Sequence, residues 1–558
     1  MRQSESKKTS CHLRAVNIQV ASYGPKPLIF MLPHTVVSFC QRTLHRLGVL
    51  SLCVTLALPW NVIQAQGLNN RLPNLGDGAE VPLSVERRLG ESIAREIYRD
   101  PDYVDDAVLR DYVQSIWQPL LAAARQRGEL TAELDQQFAW DVALIRDRSI
   151  NAFALPGGYL GVHLGLIAAV SSGDELASVL AHELSHVTQR HIARMMAQQG
   201  RQGPMVVGAM ILGMLAASRA PNANSVNAAN AVMVGGPAAV MQSQLNFSRD
   251  MEREADRVGY GVMTDAGFEA EGFVTMFEKL QQAARLNDNG SYPYLRSHPM
   301  TTERIADAQA RQQLMPKRPP VPTTPLHAMM AARAQVLTNP GVDILRNIVS
   351  VADSNLAAQP QAKQAGLLYG AVLASLKQRD WTTAKQHMTQ LQNLSGLDPA
   401  AQRVVRLLAA EVSLAQGDAL QALHTLEAKP WSKTDRAARL QLAQTRLAQQ
   451  KPVQAKLVVN DLEVWINQNP RDASAWMQLS QAYEQLGDAL RSIRAQAESR
   501  AVELDYAAAI DRFKAAQNLA HSLDREGKLD RAGHIEASVI DARLRALEQL
   551  RREEALQR

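Results

Sequence analysis

His182-Glu183-Leu184-Ser185-His186 is the stretch whose reading decides the rest of the chain. On a helix, residues four apart share a face roughly 6 Å apart, so His182 and His186 can aim both imidazoles at one metal ion. Glu183 is rotated about 100° round the axis from His182. It can reach a water at the metal without ligating the ion, which is what a general base in zinc-dependent hydrolysis must do. The flanks support the helix. Ser172-Gly173-Asp174-Glu175 has capping-box spacing, and Leu176, Val179 and Leu180 follow at helical intervals, so the helix begins near Gly173.

A catalytic zinc normally takes three protein ligands and leaves one position for water, so a third ligand has to be found. Downstream, Ser248-Arg249-Asp250-Met251-Glu252-Arg253-Glu254-Ala255-Asp256 reads as the start of a second helix, with Glu252 and Asp256 four apart on one face. HExxH followed by a helix carrying ExxxD resembles the M48 zinc metallopeptidases. The resemblance implies one zinc ion per chain on His182, His186 and Glu252, with Glu183 catalytic. It makes Asp256 the carboxylate that orients a ligand histidine, a partner that metal-bound imidazoles usually require. Glu254, in the same run, faces elsewhere on the helix and reads as surface.

The resemblance extends to Asn151-Ala152-Phe153-Ala154-Leu155-Pro156-Gly157-Gly158-Tyr159 and on through Leu160-Gly161-Val162-His163, which look like a strand-turn-strand ahead of the HExxH helix. Pro-Gly-Gly is turn chemistry, and the apolar flanks suit half-buried strands. A sheet edge beside a metal can hold an extended peptide by main-chain pairing, which favours a peptidase over a small-molecule hydrolase. Ser297-His298-Pro299, with Arg304 six residues after His298, matches a further family element. By resemblance, His298 and Arg304 belong near the active site, and His298 is a removable additional zinc ligand. The residue before a proline is pushed toward extended geometry, so His298 is expected on a loop free to move. Arg304 either stabilises a developing oxyanion or holds Glu252 or Asp256 by charge pairing; the sequence does not choose.

At 558 residues the chain is too long for one core. Arg42 and Arg46 precede an apolar run from Leu47 to Leu58, and Gln64-Ala65-Gln66 offers a cleavage point after Ala65. We read residues 1–65 as a signal peptide region, with Met31 as an alternative start. Cys11, Cys40 and Cys53 all fall in it, so no thiolate zinc site or disulfide framework exists later in the chain. Without those residues the formal charge of +5 becomes −1, with 53 basic and 54 acidic residues, and gives no argument for nucleic-acid binding. A secreted chain without cysteine suits the periplasm.

Residues 66–315 read as an α+β, zincin-like metallopeptidase domain, mostly helical with a small sheet. Helical patterns run from Ser84 to Tyr98 and from about Asp105 to Arg125, and a strand from Phe138 to Ile145. Between the two metal-bearing helices, the apolar Met205–Ala217 run and the Ala/Asn/Gly stretch to Pro237 read as a mobile lid or a peripheral membrane contact, or else as a buried helix and loop. Pro316, Pro319, Pro320, Pro322 and Pro325 make residues 316–326 a stiff linker.

Residues 327–558 then read as an all-α, tetratricopeptide-like solenoid. Trp476, Leu479, Ser480 and Tyr483, followed by Gly487, resemble helix A of such a repeat, with Ser480 where glycine is usual. Ala509, Phe513 and Ala516 resemble helix B. Leu368–Ala384 and Leu407–Ala422 are weaker copies, with Asp380 and Gly417-Asp418 at their turns. Stacked helical repeats bind peptides or proteins. With the resemblance, they imply as partners unfolded or stalled outer-membrane β-barrel proteins and the machinery that assembles them. A chaperone or scaffold with a latent peptidase, or a dedicated envelope processing protease, remains open.

Overall fold

The computed structural model describes residues 81–198, 208, 249–285, 293–314, 323–354 and 356–555. The signal region, the lead-in at 66–80, nearly all of the 205–237 segment and Pro316 to Pro322 lie outside the described residues.

Helix α1 (Leu83–Arg99) leads into strand β1 (Tyr103–Val104) and helix α2 (Ala107–Gln126), which Asp106 caps by accepting from the Leu109 amide. The short α3 (Ala132–Gln137) follows, and β2 (Asp141–Ile145) occupies only the end of the Phe138–Ile145 run. β3 (Ala152–Leu155) and β4 (Tyr159–His163) pair antiparallel across the Pro156-Gly157-Gly158 turn. Both glycines there sit at positive φ, 72° and 81°, where a side chain would be strained. The sheet order is β1-β2-β4-β3 with β2 and β4 parallel, so β3 is an edge strand. β4 is buried along its whole length rather than half-buried. Leu160 and Val162 enter the main core on one face, while Tyr159 joins the cluster beneath α1 on the other.

Helices α4 (Leu164–Ala169), α5 (Gly173–Thr188) and α6 (His191–Gln198) come next, then α7 (Arg249–Asp265), α8 (Glu271–Arg285), α9 (Tyr294–Ser297) and α10 (Thr302–Gln313). α5 is the central element. It starts at the expected cap, where Ser172 accepts from the Glu175 amide, and α2, α7, α8 and β3 pack around it. α7 comes close because Gly259 faces α5: a Cβ there would lie 3.0 Å from the Ala181 carbonyl oxygen. Glu252 and Asp256 stand seven and three residues before Gly259, on the same side of α7.

The second half is helical throughout its described residues: α11 (Pro325–Leu337), α12 (Val342–Ser354), α13 (Gln361–Lys377), α14 (Trp381–Gln392), α15 (Pro399–Ala415), α16 (Ala419–Glu427), α17 (Arg436–Ala448), α18 (Pro452–Gln468), α19 (Ala473–Gln485), α20 (Ala489–Val502), α21 (Tyr506–Arg525) and α22 (Arg531–Ala555). Mostly, each packs against its sequence neighbours, as repeat hairpins do. Trp476, Leu479, Tyr483, Ala509, Phe513 and Ala516 are buried as the repeat resemblance requires. Ser480 reaches Ser492 on α20 through their hydroxyls, 3.1 Å apart, so a small polar residue serves where glycine was expected. Asp380 and Asp418 are side-chain N-caps, of α14 and α16.

The extended linker needs one correction. Pro325 opens a helix, because a proline at the first position loses no hydrogen bond there and its fixed φ suits helical geometry. Helix α11 is buried against the first half: Tyr112 Oη lies 2.6 Å from His327 Nδ1, and His327 Nε2 donates to the Val170 carbonyl at 2.9 Å. Arg333 pairs with Asp106 at 2.6 Å and with Glu411 at 3.0 Å. One apolar core therefore runs from α2 through α11 to α17. Among the described residues, no helix is long and apolar enough to cross a membrane.

Candidate metal centre

α5 presents His182 and His186 on one face, and their Nε2 atoms lie 2.9 Å apart. Glu252 of α7 completes the third side. Its Oε1 is 3.4 Å from His186 Nε2, and its Oε2 is 3.5 Å from His182 Nε2. His298 Nδ1 closes the group, 3.3 Å from His182 Nε2 and 2.9 Å from Glu252 Oε1. All four residues are buried, and one donor atom from each falls within 4.8 Å of the others. A tetrahedral ion with spokes of about 2.0 to 2.2 Å has edges of about 3.3 to 3.6 Å, so this donor set is close to the size such an ion requires. Four lone-pair donors converging in a dry interior are costly without a cation between them.

Glu183 stands beside the group. Its Oε2 accepts from the Ala154 amide of edge strand β3 at 2.9 Å, while Oε1 faces His298 Nε2 at 3.4 Å. Asp256 Oδ1 lies 3.0 Å from His182 Nδ1, the nitrogen that points away from the cluster. Arg304 grips both oxygens of Asp256, at 2.7 and 2.8 Å, and reaches Glu252 Oε2 at 2.7 Å and the Pro299 carbonyl at 2.9 Å. Of the two roles left open for Arg304, this geometry favours charge pairing. His298 does sit on a loop, just after α9, but it is buried and its ring stacks on Tyr294 with centroids 4.5 Å apart.

Two features escaped the sequence reading. Tyr294 was not singled out, since nothing in a lone tyrosine signals a ring stacked on His298. Glu254, read as surface, is only 29% exposed and contacts His191 Nε2 at 3.1 Å and Arg194 at 2.6 Å. His191 Nδ1 in turn lies 2.8 Å from His186 Nδ1. His191 is five residues past His186, off the i+4 face of a continuous helix. Arg190, at φ 54°, breaks the helix and brings the ring back.

The model of peptidase family M48 matches residues 111–312. Over 84% of this chain and 92% of its own length, a Vibrio cholerae protein is 30% identical; it is named a beta-barrel assembly-enhancing protease, in provisional form. The chain belongs to peptidase family M48. The beta-barrel assembly-enhancing protease of Escherichia coli strain K12 is 29% identical over 86% of this chain and 91% of its length. A mitochondrial metalloendopeptidase, OMA1 of Schizosaccharomyces pombe, is 27% identical over 40% of this chain and 60% of its own. The chain is thus an M48 metallopeptidase, and that family implies a divalent metal, which the four-donor cluster could hold.

The charges of this M48 site are set by burial and then by neighbours. Burial pushes the Glu183 carboxyl up, against the pull of His298 and His182, which makes it a stronger proton acceptor than an exposed glutamate. Burial also raises Glu252, but His298, His182 and His186 outweigh it and hold the carboxylate well below its usual range. Against a similar burial penalty, Asp256 and Glu252 carry His182 up to about 9, while burial drives His186 well below its usual value. These two imidazoles are not both protonated in so tight a group.

Proposed function

We propose that this chain is a periplasmic zinc endopeptidase that degrades unfolded or stalled outer-membrane β-barrel proteins and assists their assembly. The observation that carries the chemistry is Glu183, held by the amide of an edge strand beside four converging donors. His182, His186 and Glu252 would hold the ion, with His298 as a fourth, removable donor. Bound zinc supplies Lewis acidity to the peptide carbonyl and to water. Glu183 takes the water proton and passes it to the leaving amine. Asp256 and Arg304 fix the orientation of His182 and Glu252. An extended substrate suits the outer edge of β3 beyond the Ala154 amide that Glu183 occupies, where main-chain pairing is independent of side-chain identity.

The substrate class is supported by the names of the relatives, which this chain matches over most of their length. Helices α13 to α22, with tetratricopeptide-like burial of Trp476, Tyr483 and Phe513, would recruit the substrate or the assembly machinery. Periplasmic location rests on the signal-like segment ahead of Ala65. The buried His298 favours a second, compatible reading, a peptidase latent at rest. Glu183→Gln tests the whole: expressed in cells, it should hold its metal and accumulate bound outer-membrane β-barrel proteins that the wild type clears. Capture of processed lipoproteins or soluble periplasmic proteins instead would replace the substrate assignment.

A further inference from the structure

Resting on the reading of His186 as a metal ligand, we infer that His191 and Glu254 form a relay that orients the His186 ring and fixes its proton on Nδ1. The argument is a count of protons. For His186 Nε2 to offer its lone pair to a cation, Nδ1 must carry the hydrogen, and the atom 2.8 Å away that must accept it is His191 Nδ1. His191 then carries its own hydrogen on Nε2, which faces Glu254 Oε2 at 3.1 Å. The opposite assignment, with hydrogen on His191 Nδ1, would place the His186 proton on Nε2 and block the lone pair. With neutral rings and an ionised Glu254, the two contacts select the metal-ready tautomer.

The two ligand histidines are thus supported differently. His182 faces a carboxylate directly, Asp256 at 3.0 Å, itself clamped by Arg304. His186 reaches its carboxylate through a second imidazole. The chain geometry serves this: the left-handed turn at Arg190 starts α6 so that its first residue, His191, folds back under His186. Arg194, one turn on, holds Glu254 Oε2 at 2.6 Å from the solvent side. His191 and Glu254 are positioning residues; neither enters the donor cluster.

The test measures metal binding by the full chain, using zinc in competition with a chelator and cobalt(II) as a spectroscopic substitute. Glu254→Ala should weaken zinc about tenfold and His191→Ala up to about a hundredfold, both shifting the visible bands of bound cobalt as the His186 ring reorients. His191→Gln, whose amide oxygen can accept from His186 Nδ1, should recover part of the loss. Arg194→Ala removes the exposed ion pair between α6 and α7 but leaves the relay, and should stay near wild type. Wild-type affinity and unchanged cobalt bands in Glu254→Ala would overturn the relay. Glu254 is partly exposed, so that variant folds and decides the matter even where His191→Ala does not. A wild-type chain that took up neither metal would overturn the ligand reading and the relay with it.

Discussion

Around His182 and His186 the interior of this protein is built from charges, whereas from Gln361 onward it is built largely from alanine and leucine. Within a few ångströms of the metal centre lie Glu183, Glu252, Asp256, His298 and Arg304, all buried or nearly so. In α13 to α22 the buried positions are Ala365, Ala371, Ala384, Ala401, Ala410, Ala438, Ala455, Ala475 and others of that size, interleaved with Leu, Val and a few aromatics. The first interior is assembled against a desolvation penalty that only pairing and a cation offset. The second rests on close helix packing, aspartate caps and paired charges such as Arg436 with Asp472. One is arranged for reactivity; the other holds its shape chiefly by packing.

The largest effect that could break this contrast is on catalysis. Glu183→Gln should reduce peptide hydrolysis roughly a thousandfold, the scale of losing a general base, while zinc stays at about one per chain. Glu252→Ala should lose the metal as well. Full zinc occupancy in Glu252→Ala, by metal analysis of the purified protein, would remove it from the ligand set.

Next in size is stability, where the two interiors should add independently. Stripping zinc should lower unfolding free energy by about 4 kcal/mol relative to zinc held a thousandfold above its Kd. Phe513→Ala, at a fully buried position in α21, should cost about 3 to 5 kcal/mol through the cavity it leaves. Since the two sites share no partners, calorimetry should find the Phe513→Ala loss unchanged by chelation. A loss that depended on zinc would mean the helical half is tied to the metal centre after all.

The seam between the halves has its own signature in pH. Asp106 caps α2 and pairs with Arg333 of α11; burial raises its carboxyl, but Arg333 and the helix amides pull it below the usual range. A depressed folded value means the pair stabilises fully above the unfolded pKa of about 4 and is lost as pH falls through the folded one. Asp106→Asn keeps the cap but not the charge. It should cost about 3 kcal/mol at pH 7, in denaturant unfolding, and the gap to wild type should shrink below about pH 4. A gap constant with pH would assign the cost to packing.

How much of this was legible beforehand follows the same divide. The HExxH helix, its cap at Ser172, the ExxxD helix and the Pro-Gly-Gly turn were readable because each rests on local spacing that only one backbone form satisfies. His191 and Tyr294 were not, because their partners are set by a helix break at Arg190 and by a loop that folds over α5. Glu254 was misread because exposure cannot be judged from helix phase when another helix covers part of that face. In the second half, apolar spacing announced helices, yet the burial of α11 against α2 and α4 was hidden by prolines that looked like a linker.

The smallest expected effect concerns what keeps the charged interior quiet. His298 Nδ1 sits in the donor cluster, 2.9 Å from Glu252 Oε1 and 3.3 Å from His182 Nε2, where a fourth protein ligand would take the coordination position that catalysis needs open. Its ring stacks on Tyr294 of the short α9, so withdrawal of that segment would vacate the position. His298→Ala should therefore keep its zinc and hydrolyse an unfolded test protein faster, about tenfold if nine-tenths of resting molecules are closed, with self-cleavage rising alongside. Lower activity at full zinc content would instead make His298 a group that stabilises the transition state, and the metal centre would then differ from the helical half in chemistry alone, with no resting state to be released.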